Sequence, residues 1–168
     1  MKVFDVDDAE QQAKARALSS RLRMRILRFC LNEGHTNREI AVAFALNPGT
    51  SLHHVRTLID TGFLTQEPAR TGRRGALEIP YRATRLSWRT PVPRIGPVLV
   101  RTFLEEIEGV DPEDLEVARF GVKLNAASQR ELRDRLNEVL NDFKDRAPDG
   151  DGRPISILIA THPERRRG

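Results

Sequence analysis

The sequence predicts an α+β fold: four short helices and a β-hairpin, followed by a helix–strand–helix–strand region. Three observations carry this. Residues 37–62 read as a short helix, a break of about three residues, and a second helix opened by Asn47-Pro48. Two extended runs then flank a Gly- and Arg-rich tip at 70–75. Beyond a stretch holding Pro91, Pro93 and Pro97, apolar positions recur first at helical spacing and then at every second residue.

Each element has its own local signal. Ala9, Ala13, Ala17 and Leu18 predict a first helix behind Asp7 and Asp8, acids suited to a positive N-terminus. Ser19 or Ser20 caps a second helix, with Leu22, Ile26, Leu27 and Cys30 on one stripe and Gly34 as its stop. A third runs from a Thr36 or Asn37 cap to about Phe44, and a fourth from the Asn47 cap to Gly62, with proline at its first position. FLTQEPARTGRRGALEIPYRAT reads as a hairpin. Residues 87–97 lack periodicity and are expected to be a linker. From Pro97 to Glu108, Val100, Phe103, Leu104 and Ile107 form a helical stripe. Ala118, Phe120, Val122 and Leu124 then alternate with polar neighbours as a strand would. An Asn125 cap opens an amphipathic helix to about Arg146, with Leu132, Leu136, Val139, Leu140 and Phe143 on one face. Ile155, Ile157 and Ile159 alternate again.

Composition removes several function classes. The 168 residues contain 31% charged residues and no apolar run near the ~20 needed to span a bilayer, so no membrane association is expected. The first twenty residues carry four acids and no apolar core of a signal peptide, which predicts a cytoplasmic protein. Cys30, the single cysteine, can form neither an internal disulfide nor a multi-thiolate metal site; its place on an apolar stripe reads as core packing. The chain has no GxxxxGK[ST], HExxH or GxSxG motif, TGRRG lacks the strand-to-helix context of a phosphate cradle, and Glu105, Glu106 and Glu108 read as solvated helix-surface charges. An enzyme is not expected.

Charge is unevenly distributed. Residues 19–101 hold 14 Lys+Arg against 5 Asp+Glu, whereas residues 102–168 hold 11 against 15. A basic segment beside an acidic one suits a surface that meets a polyanion. Within it, residues 37–64 give a helix-turn-helix pattern, with Ala41 as the small residue where the two helices nearly touch. Turning by roughly 100° per residue, Leu52, Val55, Leu58 and Ile59 gather on the inner side of the fourth helix. Gly49, Thr50, His53 and Thr57 point away, with His54 and Arg56 on the flanks. Such a face offers donors to a DNA groove. Arg70, Arg73 and Arg74 at the hairpin tip add guanidiniums for phosphates or a minor groove. A recognition helix followed by a basic hairpin is a winged helix.

At these residues the chain resembles a known family. From ALSSRLRMRILRFC through NPGTSLHHVRTLIDTGFL to EIPYRAT, residues 15–90 resemble the ArsR-type winged helix-turn-helix transcriptional regulators of bacteria. The segment from Asn47 to Leu64 is similar to a branch frequent in actinobacteria, whose members often carry a C-terminal extension, and 24 Arg against 4 Lys suits a GC-rich genome. The resemblance implies a homodimeric regulator of transcription that binds double-stranded DNA. Two residues depart from the family pattern: Ala45 stands where the turn usually has glycine, and Ser51 where an apolar residue usually packs. The first predicts strain if its φ is positive; the second predicts a weakly anchored helix. The family also includes metal sensors with paired cysteines or C-terminal His/Asp sets. This chain has neither, and His53 and His54, adjacent on one helix, cannot face one ion, so no metal and no cofactor are expected.

The expected organisation is a DNA-binding domain over residues 1–90 and a region over residues 91–168 that dimerises it, with Val100, Phe103, Leu104 and Ile107 as the seam. The same region offers room to sense a small-molecule effector or a protein partner. A different class of function, a winged-helix protein-interaction module that binds mainly through its C-terminal region, would show an exposed apolar patch in place of exposed arginines.

Overall fold

Capping chemistry sets the helices of the N-terminal part. A computed structural model describes residues 6–72, 75–147 and 149–163. Helix α1 (Val6–Leu18) is closed by a neighbour: Arg23 donates from Nε to the Ala17 carbonyl (2.7 Å) and from Nη2 to the Arg16 carbonyl (2.6 Å). These carbonyls lie in the last turn, where no intrahelical donor remains. Ser20 caps α2 (Arg21–Phe29) by accepting from the Arg23 N–H. The helix ends at Phe29, earlier than the expected stop at Gly34. Gly34 serves packing instead: a Cβ there would overlap the Glu67 carboxylate and press on Pro80.

Thr36 and Glu39 form a reciprocal capping box at the start of α3 (Asn37–Ala43). Glu39 N–H donates to Thr36 Oγ1 at 3.2 Å, and Thr36 N–H to Glu39 Oε2 at 2.7 Å. Asn47 Oδ1 accepts from Thr50 N–H at 2.8 Å and opens α4 (Pro48–Asp60), with Pro48 in the first turn. Both helices close in the same way. Leu46 N–H reaches the Ala41 carbonyl and Ala45 N–H that of Val42; Phe63 N–H reaches Leu58 and Gly62 N–H reaches Ile59. These are two Schellman motifs. Their left-handed positions are Ala45 at φ 51° and Gly62 at φ 76°, so the condition under which Ala45 is expected to be strained is met.

The hairpin forms as the sequence predicts. Strand β2 (Leu64–Gln66) pairs antiparallel with β5 (Pro80–Ala83), and β3 (Arg70–Thr71) with β4 (Leu77–Glu78). A third strand, β1 (His35–Thr36), flanks β5 on its other side with His35 opposite Tyr81, giving the order β1-β5-β2. Two residues are too few to show alternation, so β1 has no sequence signal. The core lies between this sheet and helices α1 to α4, where Leu18, Ile26, Cys30, Ile40, Val55, Leu58 and Phe63 are essentially fully buried.

The chain divides into two compact units, Met1–Glu108 and Gly109–Gly168. Helix α5 (Gly96–Glu106) therefore stands with the first unit, and the boundary lies after it rather than near residue 90. The expected linker does not detach α5. Val92, Ile95, Val98 and Leu99 pack against the core, Thr102 is buried, and Gln11 donates to the Pro91 carbonyl. Glu105 lies 2.8 Å from Arg21 and 3.8 Å from Arg25, and Glu106 3.3 Å from Arg28. Two of the three acids read as solvated charges, Glu105 and Glu106, thus dock α5 on α2, while Glu108 is exposed as expected.

The second unit contains α6 (Ala126–Asp145), which begins at the expected Asn125 cap: Asn125 Oδ1 accepts from Ser128 N–H at 2.9 Å. The two strands expected around it are absent among the described residues: neither 118–124 nor 155–159 takes part in a ladder. A strand is defined by ladder hydrogen bonds to a neighbouring strand, and among the described residues neither run is paired in one. Phe120 is 77% exposed and Ile157 62%. No described residue of 109–163 is fully buried. Among the described residues, no helix is long and apolar enough to cross a membrane.

Candidate nucleic-acid interface

Helix α4 is held by one face and exposes the other. Val55 and Leu58 are buried against the core, and Ala41 of α3 is buried where the two helices cross. Ser51 is also fully buried, and its hydroxyl donates to the Asn37 carbonyl at 3.3 Å. The expected weak anchoring is therefore not found. The serine replaces apolar packing with a hydrogen bond to the first turn of α3, and Asn37 Nδ2 returns one to the Pro48 carbonyl at 3.0 Å. Helix-turn-helix geometry is fixed by polar contacts at one end and by the Ala45 turn at the other.

On the outer face, Gly49, Thr50, His53 and Arg56 are exposed in one stripe, and Asp60 follows near the C-terminal end. Two predicted residues stand apart. Thr57 is half-buried and donates its hydroxyl to the His53 carbonyl at 3.0 Å, leaving only acceptor capacity for a ligand. His54 is half-buried, with Nδ1 enclosed and without a hydrogen-bond partner. Burial, reinforced by the Arg23 and His53 charges, pushes its pKa below the usual histidine value, so the ring is neutral at pH 7. The Arg23 charge that acts on it belongs to α2.

The wing shows a similar division. Gly72 N–H donates to the Ala76 carbonyl at 2.7 Å and Gly75 takes φ 77°, so the tip turns tightly, as its glycines predict. Arg73 and Arg74 lie outside the described residues. Arg70 sits at the base of the tip, where its Nη2 donates to both Glu39 carboxylate oxygens at 2.7 and 2.9 Å. It ties the wing to α3 while its side chain stays 46% exposed. Burial acts to raise the Glu39 pKa, but the Thr36 hydrogen bonds and the Arg70 and His35 charges outweigh it and hold the carboxyl below its usual value. The His35 Nδ1 lies 3.9 Å from Glu39, and its ring stacks on Phe29 at 3.9 Å.

Much of the basic segment is spent internally. Arg21, Arg25 and Arg28 face Glu105 and Glu106, Arg82 pairs with Glu67 and reaches the Asn32 carbonyl, and Arg23 closes α1. Arg38, in the first turn of α3, is exposed beside the wing, in a shallow groove shared with Val42 and Glu78. Sequence reading passed over it. The Thr36 cap was the available signal, because it places Arg38 at the exposed start of a helix.

Burial of Cys30 drives its thiol pKa up to about 12, the value of an inert core residue. Among the described residues no group of three or more His, Cys, Asp or Glu side chains could hold a metal ion.

No family model and no curated protein matches the sequence. Among solved structures, the chain is similar to the solution NMR structure of a homodimeric winged helix-turn-helix DNA-binding domain (fragment 1–100) from Mycobacterium bovis, described as a possible ArsR-family transcriptional regulator. Sequence identity is 19%, the match covers 73% of this chain and 97% of that one, and the TM-score is 0.41.

Proposed function

We propose that the protein is a sequence-specific, double-stranded DNA-binding transcriptional regulator of the ArsR type, acting as a homodimer. The observation that carries the reading is the outer face of α4: Gly49, Thr50, His53 and Arg56 stand exposed on a helix whose opposite face is locked into the core. A rigid helix with donors on its N-terminal half is what a major groove receives. Arg56 suits guanine or phosphate, and Thr50 and His53 suit base edges or phosphates. The tip arginines Arg73 and Arg74 then reach a flanking groove or its phosphates, with Arg70 steadying the wing through Glu39. In the α5 seam, Val100 and Leu104 are exposed and contribute to pairing with a second copy, while Phe103 and Ile107 are half-buried within their own unit.

A mobility-shift titration on random-sequence duplex tests the reading. Binding at low salt should weaken steeply as salt rises, because each phosphate contact releases a counterion. Absence of binding to any duplex at low salt overturns it. Exposed Val42 and Leu77 favour a second reading, a winged helix that docks another protein; association that is insensitive to salt and needs no DNA would select it.

A further inference from the structure

Helix α6 carries an apolar stripe that its own unit leaves open. Leu132, Leu136, Val139 and Phe143 follow the alternating spacing of a coiled-coil seam. Val139 is 57% exposed and Phe143 64%, while Leu132 and Leu136 are half-buried. The Arg146 guanidinium lies 5.8 Å from the Phe143 ring centroid and leaves most of that ring uncovered. Charge is polarised along the same helix. Arg130, Arg133 and Arg135 outnumber Glu131 and Asp134 in its N-terminal half, and Glu138, Asp142 and Asp145 outnumber Lys144 in its C-terminal half.

We propose that α6 pairs antiparallel with α6 of a second copy of this chain. With the twofold axis between Asn137 and Glu138, Leu136 of each copy faces Val139 of the other, and Leu132 faces Phe143. That apolar register also decides the charges. Arg135 of each copy comes beside Asp142 of the other. A parallel pair would set the arginines of one copy beside those of the other. Antiparallel packing also places each helix's positive end against the other's negative end.

The occupant is a second copy because the surface is self-complementary. Arg135 and Asp142 flank the apolar stripe on the same side and on either side of its centre, as a twofold interface of opposite charges requires. The Arg135–Glu131 pair, 2.7 Å within one helix, does not compete strongly, since both side chains are mostly exposed. This seam lies on a different helix from Val100 and Leu104 and needs no DNA, so it stands or falls separately from the proposed function.

Charge exchange between tagged full-length chains tests it. Arg135→Glu and Asp142→Arg change exposed positions, and helicity by circular dichroism should be unaltered. In a homodimer of either variant the facing charges repel; in the mixed dimer Glu faces Arg and Asp faces Arg. After subunit exchange, native mass spectrometry should find mixed dimers in roughly tenfold or greater excess over the statistical ratio, reflecting two exchanged charge contacts. The double variant Arg135→Glu/Asp142→Arg should self-associate like wild type. A statistical ratio, or a wild-type chain that stays monomeric throughout, overturns the proposal, as does disulfide cross-linking of Leu132→Cys to itself rather than to Phe143→Cys, the mark of a parallel pair.

Discussion

Replacing Ala45 by glycine should stabilise the first unit. Ala45 holds φ 51° at the end of α3, in the same Schellman motif that Gly62 completes at φ 76° after α4. A left-handed conformation costs a Cβ-bearing residue roughly 1–2 kcal/mol. Glycine removes that strain but loses about 0.4–1 kcal/mol more backbone freedom on folding. The net expectation is a gain of about 1 kcal/mol. The Ala45 side chain is exposed, so removing its methyl forfeits little packing. At roughly 2.1 cal/mol/K of unfolding entropy per residue, a unit of this size should gain about 4 °C in Tm. Gly62→Ala is the internal control. A Cβ there would meet Leu86 Cδ2 at 3.5 Å, an ordinary contact, so the penalty is conformational and should be an equal and opposite shift. Urea and thermal melts followed by circular dichroism decide both. If Ala45→Gly is neutral or destabilising while Gly62→Ala loses stability, the strain assigned to the helix-turn-helix turn is not there.

Four further outcomes follow from the same geometry. His53→Ala or Arg56→Ala should change which operator sequence is preferred, at roughly 1–3 kcal/mol per lost base contact, whereas Arg73→Ala with Arg74→Ala should weaken all sequences alike; selection from a random library reads both. Leu104→Glu should weaken dimerisation in sedimentation without unfolding the chain, since Leu104 is 53% exposed; undiminished self-association removes α5 from the seam. Because the folded Glu39 pKa is depressed, its contribution is present above the unfolded carboxylate range, near pH 4.3, and lost as pH falls through the lower folded value; Glu39→Gln should flatten that acid limb in urea melts. Cys30 should resist thiol reagents in the native state and react only on unfolding.

Elements whose cause is local were legible in the sequence. Asn47-Pro48 and Asn125 announce helix starts because a side-chain acceptor two or three residues before free N–H groups acts within one turn. Period-3.6 spacing separated the inner Val55 and Leu58 from the outer Thr50 and His53 because the helix itself fixes those angles. The glycines around the wing tip predicted a tight turn for the same kind of reason. What depends on partners distant in sequence was decided by tertiary structure alone. Arg70 looked like a tip residue until Glu39, thirty-one positions away, claimed it. Glu105 and Glu106 looked solvated until α5 folded back on the arginines of α2. Ser51 looked like a weak anchor until its hydroxyl found the Asn37 carbonyl. Alternation at 118–124 and 155–159 describes an apolar face, but a strand also needs a neighbour's hydrogen bonds, and periodicity carries no information about whether the chain brings one alongside.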